Sequence, residues 1–273
     1  MTVNSYLGRL AGQAIIRDQE KESIQRSITG IRNRLNMQFG KVITNQFVFG
    51  SYDRGTILPR KMDKNSDIDY MVVFNHEGLT PQGYLGRLRK FVQRHYSTSE
   101  FGQLNPTINL SLNHIRFELV PAISTLWGKL RIPAKASDYN DWIATDPTDF
   151  NDKLISANRS NENFIKPLVR LAKYWNACNG YVFESYELEQ KVVEHGYWML
   201  IMSGRNLRIK DYFYKFMGDL DVSTRAAQWR KDKISQLDRL LELAQLFEQE
   251  GNEARAENTI SKLLPPVIYP AMA

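Results

Sequence analysis

This chain of 273 residues has one cysteine, Cys178, and only four histidines, His76, His95, His114 and His195, scattered along its length. A single cysteine excludes an intrachain disulfide and fits a reducing compartment. A structural zinc site needs four Cys or His at close spacing, so none is expected. His195, inside the helical run VVEHGYWMLIM, reads as a packing residue. Long apolar runs are missing too. The longest, around Tyr197 to Met202, is far below the roughly 20 residues of a membrane span, and the polar start has no signal-type run. A cytoplasmic protein without membrane insertion is therefore expected. Charge of one sign is not massed anywhere: the net charge is +6, but Lys and Arg are spread out. That balance suits NTP or nucleic-acid binding and gives no sign of a dedicated duplex platform. What remains is 42% apolar and 24% charged residues, enough for a substantial core in two lobes.

The stretch Phe47 to Phe74, FVFGSYDRGTILPRKMDKNSDIDYMVVF, carries the chemistry. Asp67 and Asp69 stand at i and i+2 where an apolar run begins, so in a strand both carboxylates project from one face, with Cα atoms roughly 6.5–7 Å apart. Mg²⁺ takes hard oxygen ligands and shares its sphere with substrate phosphates. Two carboxylates on one face suit a pair of such ions about 3.5–4 Å apart, the arrangement that serves phosphoryl or nucleotidyl transfer. Gly50 and Ser51 offer backbone N–H groups, close approach without a Cβ, and a hydroxyl, all of use to phosphate. Taken singly, Asp-x-Asp is also a solvated strand edge and Gly-Ser an ordinary turn. Their order carries the weight: strand, Gly-Ser, a basic and polar loop, then Asp-Ile-Asp entering YMVVF.

That order resembles the DNA polymerase β-like nucleotidyltransferases, whose pattern requires a third acid on a neighbouring strand. The segment IRFELVPA offers Glu118, the sole acid in an apolar strand reading that Pro121 is expected to end. An unpaired buried carboxylate is costly, so Glu118 is paired, exposed or bound to metal, and the plainer reading is a pair with Arg116 or Arg131 at a sheet surface. The fragment is similar to the third-acid strand of the bacterial cyclic-oligonucleotide synthase group, relatives of cyclic GMP–AMP synthase and oligoadenylate synthase, in which Asp is commoner here. The resemblance spans nearly the whole chain. An opening helix with Ile24, Ile28, Ile31 and Leu35 on one face matches the helix that braces both lobes in that group. The stretch FIKPLVRLAKYWNACNGYVFESYELE looks like its second-lobe signature. The resemblance implies that Lys173 and Ser185 contact the triphosphate and that Tyr186 stacks on a base. Lys is a point-charge partner for phosphate, Ser185 fits an N-cap before a helix at 186–204, and aromatic stacking tolerates any base. The plainer readings are a solvated helix face for Lys173 and a half-buried aromatic for Tyr186. Asp53 departs from the pattern, standing where relatives often carry a basic residue.

The expected fold is α+β: a polymerase β-like lobe with a mixed sheet (1–135), a C-terminal helical lobe (136–260) and an extended tail (261–273), bridged by a long N-terminal helix. Helix is expected at 5–38, 81–95, 162–178, 186–204, 208–217 and 221–250, and as short pieces within 138–155. Strands are expected at 42–50, 67–75, 106–112, 115–120 and 126–132. Gly251 is a natural helix stop, and the proline-punctuated LLPPVIYPAMA should be extended.

The resemblance implies that Asp67, Asp69 and Glu118 hold two Mg²⁺, with Mn²⁺ as a substitute. The cleft between the lobes would take NTP or dNTP substrates, with Gly50, Ser51, Lys173 and Ser185 on the triphosphate. The product would be a cyclic or linear oligonucleotide signal in antiphage defence, read by a nucleotide-gated effector. Transfer to a tRNA end or a protein hydroxyl, the DNA-oligomer synthesis of the Hailong defence nucleotidyltransferases, and a non-catalytic nucleotide sensor are the alternatives. Tyr269, on a tail stiffened by Pro265, Pro266 and Pro270, is a candidate acceptor hydroxyl that would prime synthesis on the same subunit or a neighbouring one in a homo-oligomer. Its plainer reading is packing on the helical lobe.

Overall fold

A computed structural model describes residues 2–75, 78–104, 106–125, 128–134 and 141–267. The expected single opening helix is two, α1 (Val3–Gln13) and α2 (Asp18–Phe39). Val3, Leu7, Leu10, Ala14, Ile24, Ile28, Ile31 and Leu35 are all buried, at alternating steps of four and three. The steps that would join the two halves fall on Arg17 and Lys21, both exposed. The apolar stripe therefore lapses where the helix breaks, Arg17 turns extended, and Asp18 and Glu20 supply acids to the new first turn, as the helix dipole favours.

Two compact units result. The sheet unit comprises residues 16–60 and 65–151; the helical unit takes residues up to 15, 61–64, and the chain from 152 onward. In the sheet unit β1 (Ile43–Phe49), α3 (Gly50–Arg54), β2 (Asp67–Phe74), α4 (Pro81–His95), β3 (Glu100–Leu104), β4 (Thr107–Ser111), β5 (Arg116–Ser124), β6 (Leu130–Pro133) and β7 (Trp142–Thr145) follow in order. The strands lie in the order β1-β2-β5-β4-β3, with β6 on β5 and β7 on β6. Only the β2–β5 pair is parallel among the described strands, so the sheet is mixed.

Strand alternation then sorts the faces. Ile68, Tyr70, Val72 and Phe74 of β2 join Phe117 and Leu119 of β5 in a large core with Ile24, Ile28, Ile31 and Leu35 of α2 and Leu85, Leu88 and Phe91 of α4. The other face holds a smaller cluster of Met71, Val73, Val120 and Ala122, and beyond it the acids. Pro121 does not end β5. It pairs with Val72, while the β4 partners stop at Leu119 and those of β6 begin at Ile123; a missing N–H is tolerated in such a gap. Part of 138–155, expected as short helices, is β7: the β-branched and aromatic run Trp142–Thr145 pairs with β6. The sheet unit thus runs past residue 135.

The helical unit contains α1, α5 (Asp149–Ser160) from residue 152, and the helices that follow: α6 (Ile165–Cys178), α7 (Ser185–Glu194), α8 (Trp198–Met202), α9 (Ile209–Gly218), α10 (Gln228–Gln249) and α11 (Glu253–Leu263). The expected helix 186–204 breaks after Glu194, where His195 is extended at φ −65°, ψ 137° and its ring is drawn to Asp219, with Nε2 2.9 Å from Oδ2. Gly251, at φ +72°, ends α10. Asn252 then caps α11 by accepting from the Arg255 N–H, so helix reaches residue 263, into the segment expected to be extended. Among the described residues no helix is long and apolar enough to cross a membrane.

Candidate active site

Asp67 and Asp69 open β2 on the face away from the large core, both half-buried between buried Ile68 and Tyr70. Parallel pairing places Asp67 beside Arg116 and Asp69 beside Glu118, while β4 sets Asn109 on the far side of Glu118. The three acids therefore occupy one patch at one end of two adjacent central strands. Gly50 belongs to it as well, since β1 brings Phe49 opposite Asp69. At Gly50 φ is +72°, and a Cβ built there would lie 1.9 Å from Asp69 Oδ2. Only glycine lets the backbone approach that carboxylate. The Gly-Ser turn opens the short helix α3, and the Ser51 carbonyl accepts from Thr56 N (2.9 Å) and Ile57 N (3.0 Å), closing the loop behind it.

The electrostatics of the patch follow from crowding. Glu118 has its carboxyl pushed above the usual range, first by burial and then by the negative charge of Asp67, against the pull of Arg116 and Thr107. A cation would relieve such a shift. Arg116 makes its ion pair with Asp67, Nη2 to Oδ2 at 2.8 Å, while Glu118 accepts a long 3.4 Å contact from the Thr107 hydroxyl. Asp53 has a structural partner: its Oδ2 accepts from Asn151 Nδ2 at 2.8 Å, tying α3 to the start of α5.

Hard carboxylate oxygens fit Mg²⁺ or Mn²⁺ in kind. As the side chains stand, Asp67 Oδ2 is engaged by Arg116, and no group of three His, Cys, Asp or Glu among the described residues is arranged to hold a metal ion. The donor set is suitable; its present arrangement is not yet a coordination shell.

Lys173, Ser185 and Tyr186 belong to the helical unit. Lys173 lies in α6 with 7% of its surface exposed, so the solvated-face reading does not hold. Ser185 is the first residue of α7, whose N-cap is Glu184, and not itself the cap. Tyr186 is 49% exposed. Asn176 sets where α7 starts: fully buried, it donates Nδ2 to the Phe183 carbonyl (2.9 Å) and accepts from the Phe183 N–H (3.0 Å). Tyr269 lies outside the described residues.

Sequence reasoning missed three contributors. In the sequence Arg116 reads only as a partner of Glu118, and Thr107 and Asn109 carry no signal, because each enters through strand register rather than local pattern. Asn176 was visible only as part of the Trp-Asn signature.

Comparison with known proteins supplies the family and the fold. Residues 1–158 match the family model described as Second Messenger Oligonucleotide or Dinucleotide Synthetase domain. A cyclic AMP-AMP-AMP synthase from an Acinetobacter species is 26% identical over 156 residues, covering 54% of this chain and 43% of that enzyme. A probable cyclic nucleotide synthase of Bacillus cereus is 25% identical over 258 residues, 78% of this chain and 76% of the relative. Among solved structures, the Vibrio cholerae DncV cyclic AMP-GMP synthase bound to the linear intermediate 5′ pppA(3′,5′)pG superposes with a TM-score of 0.76 at 13% identity, covering 98% of each chain. At that identity the likeness is one of fold.

Proposed function

The chain belongs to the Second Messenger Oligonucleotide or Dinucleotide Synthetase family, and on that basis we propose that it joins nucleotides from NTPs or dNTPs into a cyclic or linear oligonucleotide signal. The observation that carries this reading is the acid patch itself: Asp69 beside Glu118 on parallel strands, Asp67 two residues away, and Gly50 packed under the Asp69 carboxylate. In each transfer an acceptor hydroxyl oxygen bonds to the α-phosphorus, the α–β bridging P–O bond breaks, pyrophosphate leaves, and the hydroxyl proton passes to solvent. Divalent cations held by Asp67, Asp69 and Glu118 would supply Lewis-acid polarisation of the phosphate and the acceptor. The residues' own share is positioning and charge neutralisation, which dominate such chemistry. Gly50 and Ser51 offer backbone and hydroxyl donors to phosphate, Lys173 a positive charge, Ser185 a hydroxyl, and Tyr186 a ring for the base. A nucleotide-gated effector would read the product, with antiphage defence as the setting.

The test is product identification. The protein is incubated with each NTP and dNTP and Mg²⁺ or Mn²⁺, and small molecules are resolved by mass spectrometry. Oligonucleotides with phosphodiester linkages and matched pyrophosphate are expected. Labelled nucleotide on added tRNA or protein, with no free oligonucleotide, would replace this reading with transfer to a macromolecule. Intact mass of the chain in the same reaction reads whether Tyr269 accepts a nucleotide.

A further inference from the structure

Arg116 and Asp67 are the first residues of β5 and β2 and stand side by side in the parallel register. Arg116 Nη2 donates to Asp67 Oδ2 at 2.8 Å and to the Asn65 carbonyl at 3.0 Å, so one guanidinium nitrogen bridges the incoming loop and the first acid of the patch. Both side chains keep access to solvent, at 30% and 28% exposure. Glu118 lies two residues further along the same face of β5 and feels the same guanidinium.

We propose that Arg116 is a positioning residue that competes with divalent cations for Asp67, an inference that rests on reading the acids as cation ligands. Direct ligation of Mg²⁺ puts the ion about 2.0–2.1 Å from a carboxylate oxygen. The Arg116 N–H already points at Oδ2, and a guanidinium and a dication cannot share one approach to that oxygen. Entry of a cation along that approach to Oδ2 therefore requires Arg116 to give it up. The guanidinium has a fork of donors and keeps the Asn65 carbonyl as an anchor, so it can let go of one acceptor without leaving the site. Arg116 thus holds the crowded carboxylates together and lowers their affinity for a free cation.

The experiment is a Mn²⁺ titration without nucleotide, by calorimetry or by loss of the free-ion EPR signal, on the wild type, Arg116→Gln, Arg116→Lys and Asp67→Asn, with metal-free melting of each. Arg116→Gln should bind Mn²⁺ about tenfold tighter, the scale of one charge-assisted hydrogen bond, and gain more melting temperature on adding Mn²⁺. A merely structural arginine would leave affinity unchanged or lower it. Arg116→Lys keeps the charge but loses the fork, and should bind more tightly than the wild type; equality with the wild type means that charge at a distance sets affinity and overturns the proposal. Arg116→Gln binding no tighter while Asp67→Asn loses Mn²⁺ overturns the role of Arg116 and leaves the ligand reading standing. Asp67→Asn binding Mn²⁺ as the wild type does removes both.

Discussion

A methyl group added at Gly50 would sit 1.9 Å from Asp69 Oδ2 on a backbone already at φ +72°, so the glycine and the carboxylate require one another. Gly50→Ala carries both a left-handed backbone cost and a clash, together about 1–3 kcal/mol, and must displace Asp69. Melting should fall accordingly, and pyrophosphate release should drop far more than the loss of folded protein explains. Asp69→Asn should act in the opposite way: it removes one of several crowded negative charges, so transfer is lost while melting is kept or raised, whereas Asp67→Asn also gives up the Arg116 ion pair, so transfer is lost with melting little changed. Glu118 reports the change directly. Its raised carboxyl gives the folded state a relative advantage that is full below the unfolded pKa and is lost as pH rises through the folded value. Removing the Asp67 charge deletes the second cause of the shift, so in Asp67→Asn the Glu118 titration, followed by carboxyl NMR, should move down towards the ordinary range. No movement would show that burial alone sets it.

Elements with strong local signals were legible in the sequence. Pro81–His95 appears as expected, with Thr80 capping and proline in its first turn, and β1 and β2 fall where apolar runs meet the Gly-Ser and Asp-Ile-Asp pattern. Elements defined by partners were not. β3, EFGQL, has neither β-branched residues nor a clear apolar face, and exists because it pairs with β4. The α1–α2 break hides in a continuous four-three spacing interrupted only by Arg17 and Lys21. The site divides along the same line: Gly50, Asp67 and Asp69 are neighbours in a motif, whereas the Asp67–Arg116 contact joins residues 49 apart through a register that no single sequence discloses. Asn176 shows how a buried side chain can set the start of a helix. Asn176→Ala leaves the Phe183 N–H and carbonyl without their partner, at a cost of about 1–3 kcal/mol. Because Ser185 and Tyr186 follow at once, affinity for a non-hydrolysable NTP should weaken with stability. Unchanged affinity at reduced melting temperature would separate that loop from nucleotide binding.

The chain passes between its two units at residues 15/16, 60/61, 64/65 and 151/152, so neither unit is a continuous piece of sequence. The helical unit joins distant parts of the chain: α1 packs on α6, α9 and α11, and the Tyr6 hydroxyl donates to the carbonyl of Leu264, 258 residues away. Burial pushes the Tyr6 hydroxyl up to about 12, which keeps it a neutral donor across the working range. Tyr174 donates in the same way to the Pro265 carbonyl at 2.9 Å, so two tyrosines hold the segment after α11. Folding of this unit should therefore wait for both ends of the described chain, and α1 should be part of its core rather than an appendage. Leu7 and Leu10 are 0% and 1% exposed, and Leu10→Ala should cost about 2–5 kcal/mol by the cavity it leaves. Removing residues 2–14 should do more, exposing the faces of α6, α9 and α11 that α1 covers. Urea unfolding followed by tryptophan fluorescence in a Trp127→Phe, Trp142→Phe background reads this, since the remaining Trp175, Trp198 and Trp229 all lie in the helical unit. The shortened chain should lose its cooperative transition and bind a hydrophobic dye before any urea is added. A transition as steep as that of the full chain, at the same midpoint, would show that the helical unit is complete without its first helix.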